Sequence, residues 1–238
     1  MRDFYPADWA RLQAVFSVIR KTLGEYGYEE YNASPLERAE LYESKTSEEI
    51  VHEQTYTFTD RGDRRVTLRP EMTPTLARMV AQRRRELVFP LRWFSIGNRF
   101  RYERPQKGRL REFYQVDVDI VGIEGPKAEG ESVVMAYEIL RAFGAQNEDF
   151  IMRINSRRLL NKAALSAGLT PEETGSYLGL LDRKNKMSSE VFEENRLVYR
   201  KNGKDPLEII ESGSDSAVAE EIENLMALVV AFKARGMD

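Results

Sequence analysis

The chain has 238 residues with 36 basic and 39 acidic side chains, a formal net charge of only −3, so attraction to an acidic partner has to come from a local basic cluster. It holds no cysteine and one histidine, His52, which excludes a disulfide framework, a thiolate or multi-histidine zinc site and a cysteine nucleophile, and no metal site is identifiable. The length suffices for a sizeable core, the longest apolar stretch (225–232) is far short of a membrane span, and the opening MRDFYPADWA lacks the plan of a secretory signal, which gives the expectation of a cytoplasmic protein.

Trp9, Leu12, Phe16, Ile19, Leu23 and Tyr26 recur at intervals of three and four, one face of an amphipathic helix bracketed by Pro6 and Gly27. Residues 28–33 predict a short strand, and Pro35 interrupts before a helical segment over 36–43. Two β-prone runs, 56–59 and 64–68, flank Asp60-Arg61-Gly62-Asp63 and predict a hairpin that Pro70 ends. A helix over 71–87 follows from Leu76, Met79, Val80 and Leu87, with Arg83, Arg84 and Arg85 as a solvated end that neutralises its dipole. Segments 91–101 and 113–121 predict two long strands around a charged connector; in the second, Asp117 and Asp119 share one face, expected to be wet, and Val116, Val118 and Ile120 share the other. A helix over 127–143 and a strand over 150–154 come next. Hairpins without repeating βαβ units predict an α+β fold. Beyond a boundary placed near 155 the pattern becomes helical, over 159–167, 171–181, 191–198 and 218–234.

The chain has neither the GxxxxGK[ST] nor the GxGxxG phosphate cradle, so a bound nucleotide has to be held by side chains. The connector carries Arg101, Arg104, Lys107, Arg109 and Arg111. Alternation puts Arg101 and Glu103 on one strand face, a planar cation beside an acceptor; Lys107 and Arg109 lie in a loop able to close on distal phosphates, and Phe113 can stack on a base. A second cluster, Arg69-Pro70-Glu71-Met72-Thr73, sits at a strand-to-helix junction, and a third, Gln115, Asp117 and Asp119, offers acceptors to a cationic ligand. Each also has a plainer explanation: a charged turn in water, a helix start capped by Glu71 or Thr73, a solvent-facing stripe. His52 is most simply a surface or packing histidine.

The segments RPEMT, FRYERPQKGRLREFYQ and VDVDIVG, with MRDFYP and GYEEYNASPLE upstream in the same order, resemble histidyl-tRNA synthetase, a class II aminoacyl-tRNA synthetase. The resemblance runs through 1–155, and 156–238 is similar, more loosely, to that family's helical insertion. It implies a class II catalytic core, with an antiparallel or mixed sheet flanked by helices, over 1–155. It also implies that the helix-to-Pro35 segment is motif 1, which builds a homodimer interface, and that 100–115 lies in motif 2, which holds ATP. Carried over residue by residue, Arg101 would meet the ATP α-phosphate and the histidine carboxylate, Glu103 the adenine amino group, Phe113 the adenine face and Arg109 the γ-phosphate. Glu71, Thr73 and Gln115 would meet the α-amino group of histidine, and Asp119 the imidazole, where many members have a longer glutamate.

The implied function is that of a histidine-tRNA ligase, using ATP and Mg2+ to activate L-histidine and pass it to tRNA(His). Family members continue into an arginine-tyrosine motif, motif 3 and an anticodon-binding domain, which this sequence does not contain, so the expectation is an amino-terminal portion with little or no activity alone. Two alternatives stand beside it: the synthetase-like regulatory subunit of ATP phosphoribosyltransferase, which senses histidine without charging tRNA, and a non-catalytic RNA-binding or dimerisation fragment.

Overall fold

The computed structural model describes residues 3–43, 54–103, 108–201 and 203–237. The chain divides into two compact units, Met1–Ala145 and Gln146–Asp238. His52 and the tip of the charged connector, 104–107, which includes Lys107, lie outside the described residues.

The first unit is α+β. Helix α1 (Pro6–Glu25) starts on Pro6, whose missing N–H costs nothing in a first turn, and stops at Gly27, whose φ of 76° lets the chain reverse. Its stripe is buried at Phe16, Ile19 and Leu23, while Trp9 and Tyr26 at the two ends stay exposed. Strand β1 (Glu29–Glu30) lies parallel to β5 (Leu91–Phe100), and β5 pairs antiparallel with β6 (Glu112–Val121) over ten residues each, so this sheet is mixed in the order β1-β5-β6. Tyr114 of β6 meets Phe16 with ring centroids 5.3 Å apart, which puts α1 on the even-numbered face of β6. Helix α4 (Pro126–Ala142) packs beside α1 and is tied to the sheet by Glu131, which takes two bonds from Arg92, at 2.6 and 2.9 Å, and one from the Tyr28 hydroxyl at 2.9 Å.

A second sheet, in the order β2-β4-β3, is built from β2 (Leu36–Arg38), β3 (Tyr56–Thr59) and β4 (Arg65–Leu68), all antiparallel. The hairpin expected around Asp60–Asp63 is therefore present, whereas the helix expected over 36–43 is not. Leu36–Arg38 joins β4, and only Ala39–Glu43 turns helical as α2, because pairing with an available strand edge overrides local propensity. Helix α3 (Thr73–Arg83) is shorter than expected; Met72 occupies its cap position and makes no side-chain capping bond.

The second unit is helical: α5 (Arg157–Ser166), α6 (Pro171–Asp182), α7 (Ser189–Leu197), α8 (Pro206–Ser212) and α9 (Ser216–Lys233). The strand expected over 150–154 is absent. Asn147–Asp149 forms a single tight turn, Phe150 after it is extended, and 150–154 belong to no sheet among the described residues. A strand exists only through its ladder. Helix α8 was not anticipated, although Asp205-Pro206-Leu207-Glu208 is a capping box followed by the apolar pair Ile209 and Ile210. Leu159, Ala163, Ala164, Leu169, Tyr177, Ile209 and Val218 form the core. Asp205, fully buried, accepts from the backbone of Leu207 at 2.8 Å and of Glu208 at 3.2 Å and pairs with Arg196 at 3.1 Å. Replacing Asp205 by Ala removes the cap and one of the two carboxylates paired with Arg196, Glu193 remaining at 2.6 Å, so we expect a loss of about 1–3 kcal/mol in urea unfolding, and a loss under about 0.5 kcal/mol would contradict this account.

Candidate active site

The site is the odd-numbered face of the β5–β6 ribbon. The register sets Phe113 opposite Arg99, Gln115 opposite Gly97, Asp117 opposite Ser95 and Asp119 opposite Trp93. Side chains two apart on a strand share a face, so Phe113, Gln115, Asp117 and Asp119 form one row. The expectation that the aspartate face is wet needs correction: the Asp117 side chain is only 12% exposed, and Asp119 is half-buried. The cause is a lid of other elements. Tyr31, just after β1, and Met72 and Leu76 from the start of α3 pack together with Trp93 and Val121, covering that end of the face.

Arg101 continues β5 by one residue, its N–H donating to the Arg111 carbonyl at 2.9 Å. Its side chain turns back over the ribbon. Nε donates to the Pro70 carbonyl at 3.0 Å, the guanidinium carbon lies 5.4 Å from the centre of the Phe113 ring, and the side chain is 24% exposed. Glu103 is bracketed by Arg101 at 4.0 Å and Arg109 at 3.4 Å, and Arg109 is the more open of the two at 58%. Thus the structure brings Arg101, Glu103, Arg109 and Phe113 together at the ribbon's end, with Gln115 and Asp119 further along the same face. The bond from Arg101 to Pro70 joins them to the turn that carries Glu71 and Thr73. Thr73 is exposed, Glu71 is half-buried, and Tyr42 steadies the turn by donating to the Glu71 carbonyl at 3.3 Å. A groove of about 470 Å³ lies instead on the α1 side of the ribbon, lined by Asp8, Leu12 and Val15 of α1 with Leu110, Glu112 and Tyr114.

On this same face, buried beside the row, lie two cations that sequence reasoning did not single out. Arg69 is 3% exposed and spans the ends of three segments: Nε donates to the Asn98 carbonyl at 3.0 Å, and one terminal nitrogen to the Ala33 carbonyl at 2.8 Å and to Asn32 Oδ1 at 3.2 Å. Arg99 is fully buried and bonds to Asp117, to Ser95 Oγ at 3.1 Å and to the Asn98 carbonyl at 3.0 Å. Burial, then the neighbouring Arg99 charge, holds the Arg69 pKa below the usual guanidinium value. Arg69 stood inside RPEMT and Arg99 is two residues from Arg101 on the same face, so both positions were visible; that both guanidiniums are buried was not.

Asp119 receives the Tyr31 hydroxyl at 3.4 Å. Burial and the charge of Asp117 raise its carboxyl above the usual range, against the opposing influence of the Tyr31 bond and Arg99. An acid whose folded-state pKa exceeds its unfolded value is a cost to folding that is absent where both states are protonated and complete above the folded-state value. Asp119→Asn keeps an acceptor for Tyr31 and removes that cost. We expect its urea midpoint to exceed that of the unaltered chain at neutral pH, with the advantage shrinking as pH falls through the carboxylate range. A lower midpoint at neutral pH would contradict the assignment.

A family model described as histidyl-tRNA synthetase matches residues 1–235. Among curated proteins, the histidine–tRNA ligase of Leptospira biflexa is 46% identical over 192 residues, covering 80% of this chain and 44% of that protein. The histidine–tRNA ligase of Halorubrum lacusprofundi is 33% identical over 247 residues, covering 97% of this chain and 56% of that protein. The chain thus spans about half the length of the curated relatives it matches. Two solved structures share the fold: a protein of Bacillus halodurans described as an ATP phosphoribosyltransferase regulatory subunit/histidyl-tRNA synthetase, with TM-score 0.83, 19% identity and coverage of 100% of this chain and 64% of that one, and the histidyl-tRNA synthetase of Nostoc sp. PCC 7120, with TM-score 0.75, 21% identity and coverage of 100% and 57%. With a family match that takes in both units and an arginine-bearing ribbon of the kind described above, the chain belongs to the histidyl-tRNA synthetase family.

Proposed function

We propose that the chain carries the amino-acid-activating part of a histidine-tRNA ligase, with the class II core over 1–155 and the helical insertion over 156–238. The observation that supports this most is the position of Arg101: anchored to the Pro70 carbonyl, lying over Phe113 and beside Glu103, on the ribbon face that also bears Gln115 and Asp119. A partly exposed guanidinium held through Nε to a carbonyl, with only a long ion pair to Glu103 besides, can turn its terminal nitrogens to a ligand, and its planar fork suits carboxylate and phosphate alike.

In the reaction a carboxylate oxygen of histidine attacks the α-phosphorus of ATP. The new O–P bond forms as the bond from that phosphorus to the bridging oxygen breaks, and pyrophosphate leaves with the electron pair. Histidyl-adenylate results. A ribose hydroxyl at the end of tRNA(His) then attacks the acyl carbon and AMP departs. No protein nucleophile is needed, since positioning two anions and stabilising the charge that builds at phosphorus carry the step. Arg101 meets both the α-phosphate and the histidine carboxylate, Arg109 the γ-phosphate, and Glu103 and Phe113 the adenine edge and face. Glu71, Thr73 and Gln115 receive the α-ammonium, and Asp119 accepts from the imidazole. Among the described residues no three carboxylates gather into a metal cage, so Mg2+ fits this site as an ion carried on the phosphates.

The same reading carries a homodimer formed through the α1-to-Pro35 segment and a cytoplasmic location. Among the described residues no helix is long and apolar enough to cross a membrane. A second reading, the histidine-sensing regulatory subunit of ATP phosphoribosyltransferase, is supported by the Bacillus halodurans likeness. Both readings bind histidine, but only the ligase exchanges pyrophosphate into ATP. A non-catalytic RNA-binding fragment would bind tRNA in a salt-dependent way without being stabilised by histidine.

Calorimetric titration tests the assignment. Arg101→Ala is expected to weaken ATP binding by about 10- to 100-fold, the worth of a lost charge-assisted hydrogen bond, and to weaken histidine as well, whereas Asp119→Ala is expected to weaken histidine by a similar factor and leave ATP unchanged. Unaltered binding of both ligands in Arg101→Ala would sink the proposal.

A further inference from the structure

The orientation of the Gln115 amide is set by its neighbours on the same face. Nε2 of Gln115 donates to Asp117 Oδ1 at 2.6 Å, and the other Asp117 oxygen receives the guanidinium of Arg99. Arg99 cannot turn elsewhere, because it is fully buried and also donates to Ser95 and to the Asn98 carbonyl. An ionised carboxylate only accepts, so it draws the NH2 end of the amide and leaves the carbonyl end, Oε1, for another donor. We propose that Asp117, held by Arg99, is a positioning residue that fixes Gln115 as an acceptor for the ammonium group of the bound amino acid. This inference rests on the amino-acid site proposed above and adds the reason why a side chain with both a donor and an acceptor end presents only one of them.

The alternative arrangements are distinguishable. In Asp117→Asn one oxygen remains, and buried Arg99 has the stronger claim on it, so the new amide turns its NH2 towards Gln115. Gln115 then accepts with Oε1 and points its own NH2 at the ligand's ammonium, donor against donor. Gln115→Glu alone sets a carboxylate against Asp117. In the double variant Asp117→Asn, Gln115→Glu the new carboxylate accepts from the Asn amide with one oxygen and offers the other to the ammonium, which restores the acceptor.

The experiment titrates the 238-residue chain and the three variants with L-histidine and with 3-(imidazol-4-yl)propionate, which lacks the amino group. The unaltered chain should prefer histidine. Asp117→Asn should reduce that preference by about tenfold or more while leaving the affinity for the propionate within about twofold, Gln115→Glu should also weaken histidine, and the double variant should recover most of the loss. A preference retained in Asp117→Asn, or losses that simply add in the double variant, overturns the positioning role and leaves the amino-acid site standing. An unaltered chain that does not distinguish the two compounds overturns the amino-acid site itself, and this inference with it. The unaltered chain gives a second readout that needs no folded Asp117 variant: the Gln115 side-chain amide protons should exchange slowly with solvent, one more slowly than the other. Equal, fast exchange of both overturns the proposal.

Discussion

Removing a guanidinium from water costs several kcal/mol unless oxygen atoms replace its hydration, and this molecule does so twice within a few residues. Arg69 and Arg99 are 3% and 0% exposed, and the Asn98 carbonyl accepts from both, at 3.0 Å each. Further acceptors come from Asn32, Ala33, Ser95 and Asp117, drawn from three places in the chain. Meeting that demand fixes where the segment after β1, the turn after β4 and both strands of the ribbon must stand. Gly97 belongs to the same constraint: a Cβ there would lie 2.7 Å from an Arg69 nitrogen and 3.2 Å from one of Arg99, so two cations fit over this stretch of strand only because it has no side chain.

The chemistry of the rest of this face follows from those two cations. Arg99 requires a carboxylate, Asp117 supplies it, and the Asp117 charge in turn acts on Asp119 two residues along and on the Gln115 amide two residues back. The third arginine differs in kind. Arg101 has Nε tied to a backbone carbonyl and a terminal nitrogen 4.0 Å from Glu103, and at 24% exposure it keeps part of its contact with water. Two buried arginines organise the scaffold, and the third, partly exposed, is the one proposed above to meet reactants.

Much of this was legible because it is local. The α1 stripe, the hairpin around Asp60–Asp63 and the alternation in β6 each depend on residues near one another in the chain, and Arg101, Glu103, Phe113, Gln115 and Asp119 could be put on one ribbon by counting in twos. What escaped was set by partners distant in sequence. Residues 36–38 became strand because β4 offered an edge, residues 150–154 did not because no strand stood beside them, and the aspartate face is shielded by Tyr31 and α3 although its spacing is that of a solvent stripe. Helix α8 is a different case, since its capping box was there to be read.

Side-chain type and spacing alone therefore settled the α+β class, the ribbon, its row of polar groups and the kinship those segments carry, because periodicity and turn chemistry act over a few residues. Which arginine is buried and which keeps contact with water, and which end of the Gln115 amide Asp117 holds, was decided only by the tertiary structure. Those choices depend on how many oxygen atoms distant segments bring to each cation, and no spacing along the chain encodes that count.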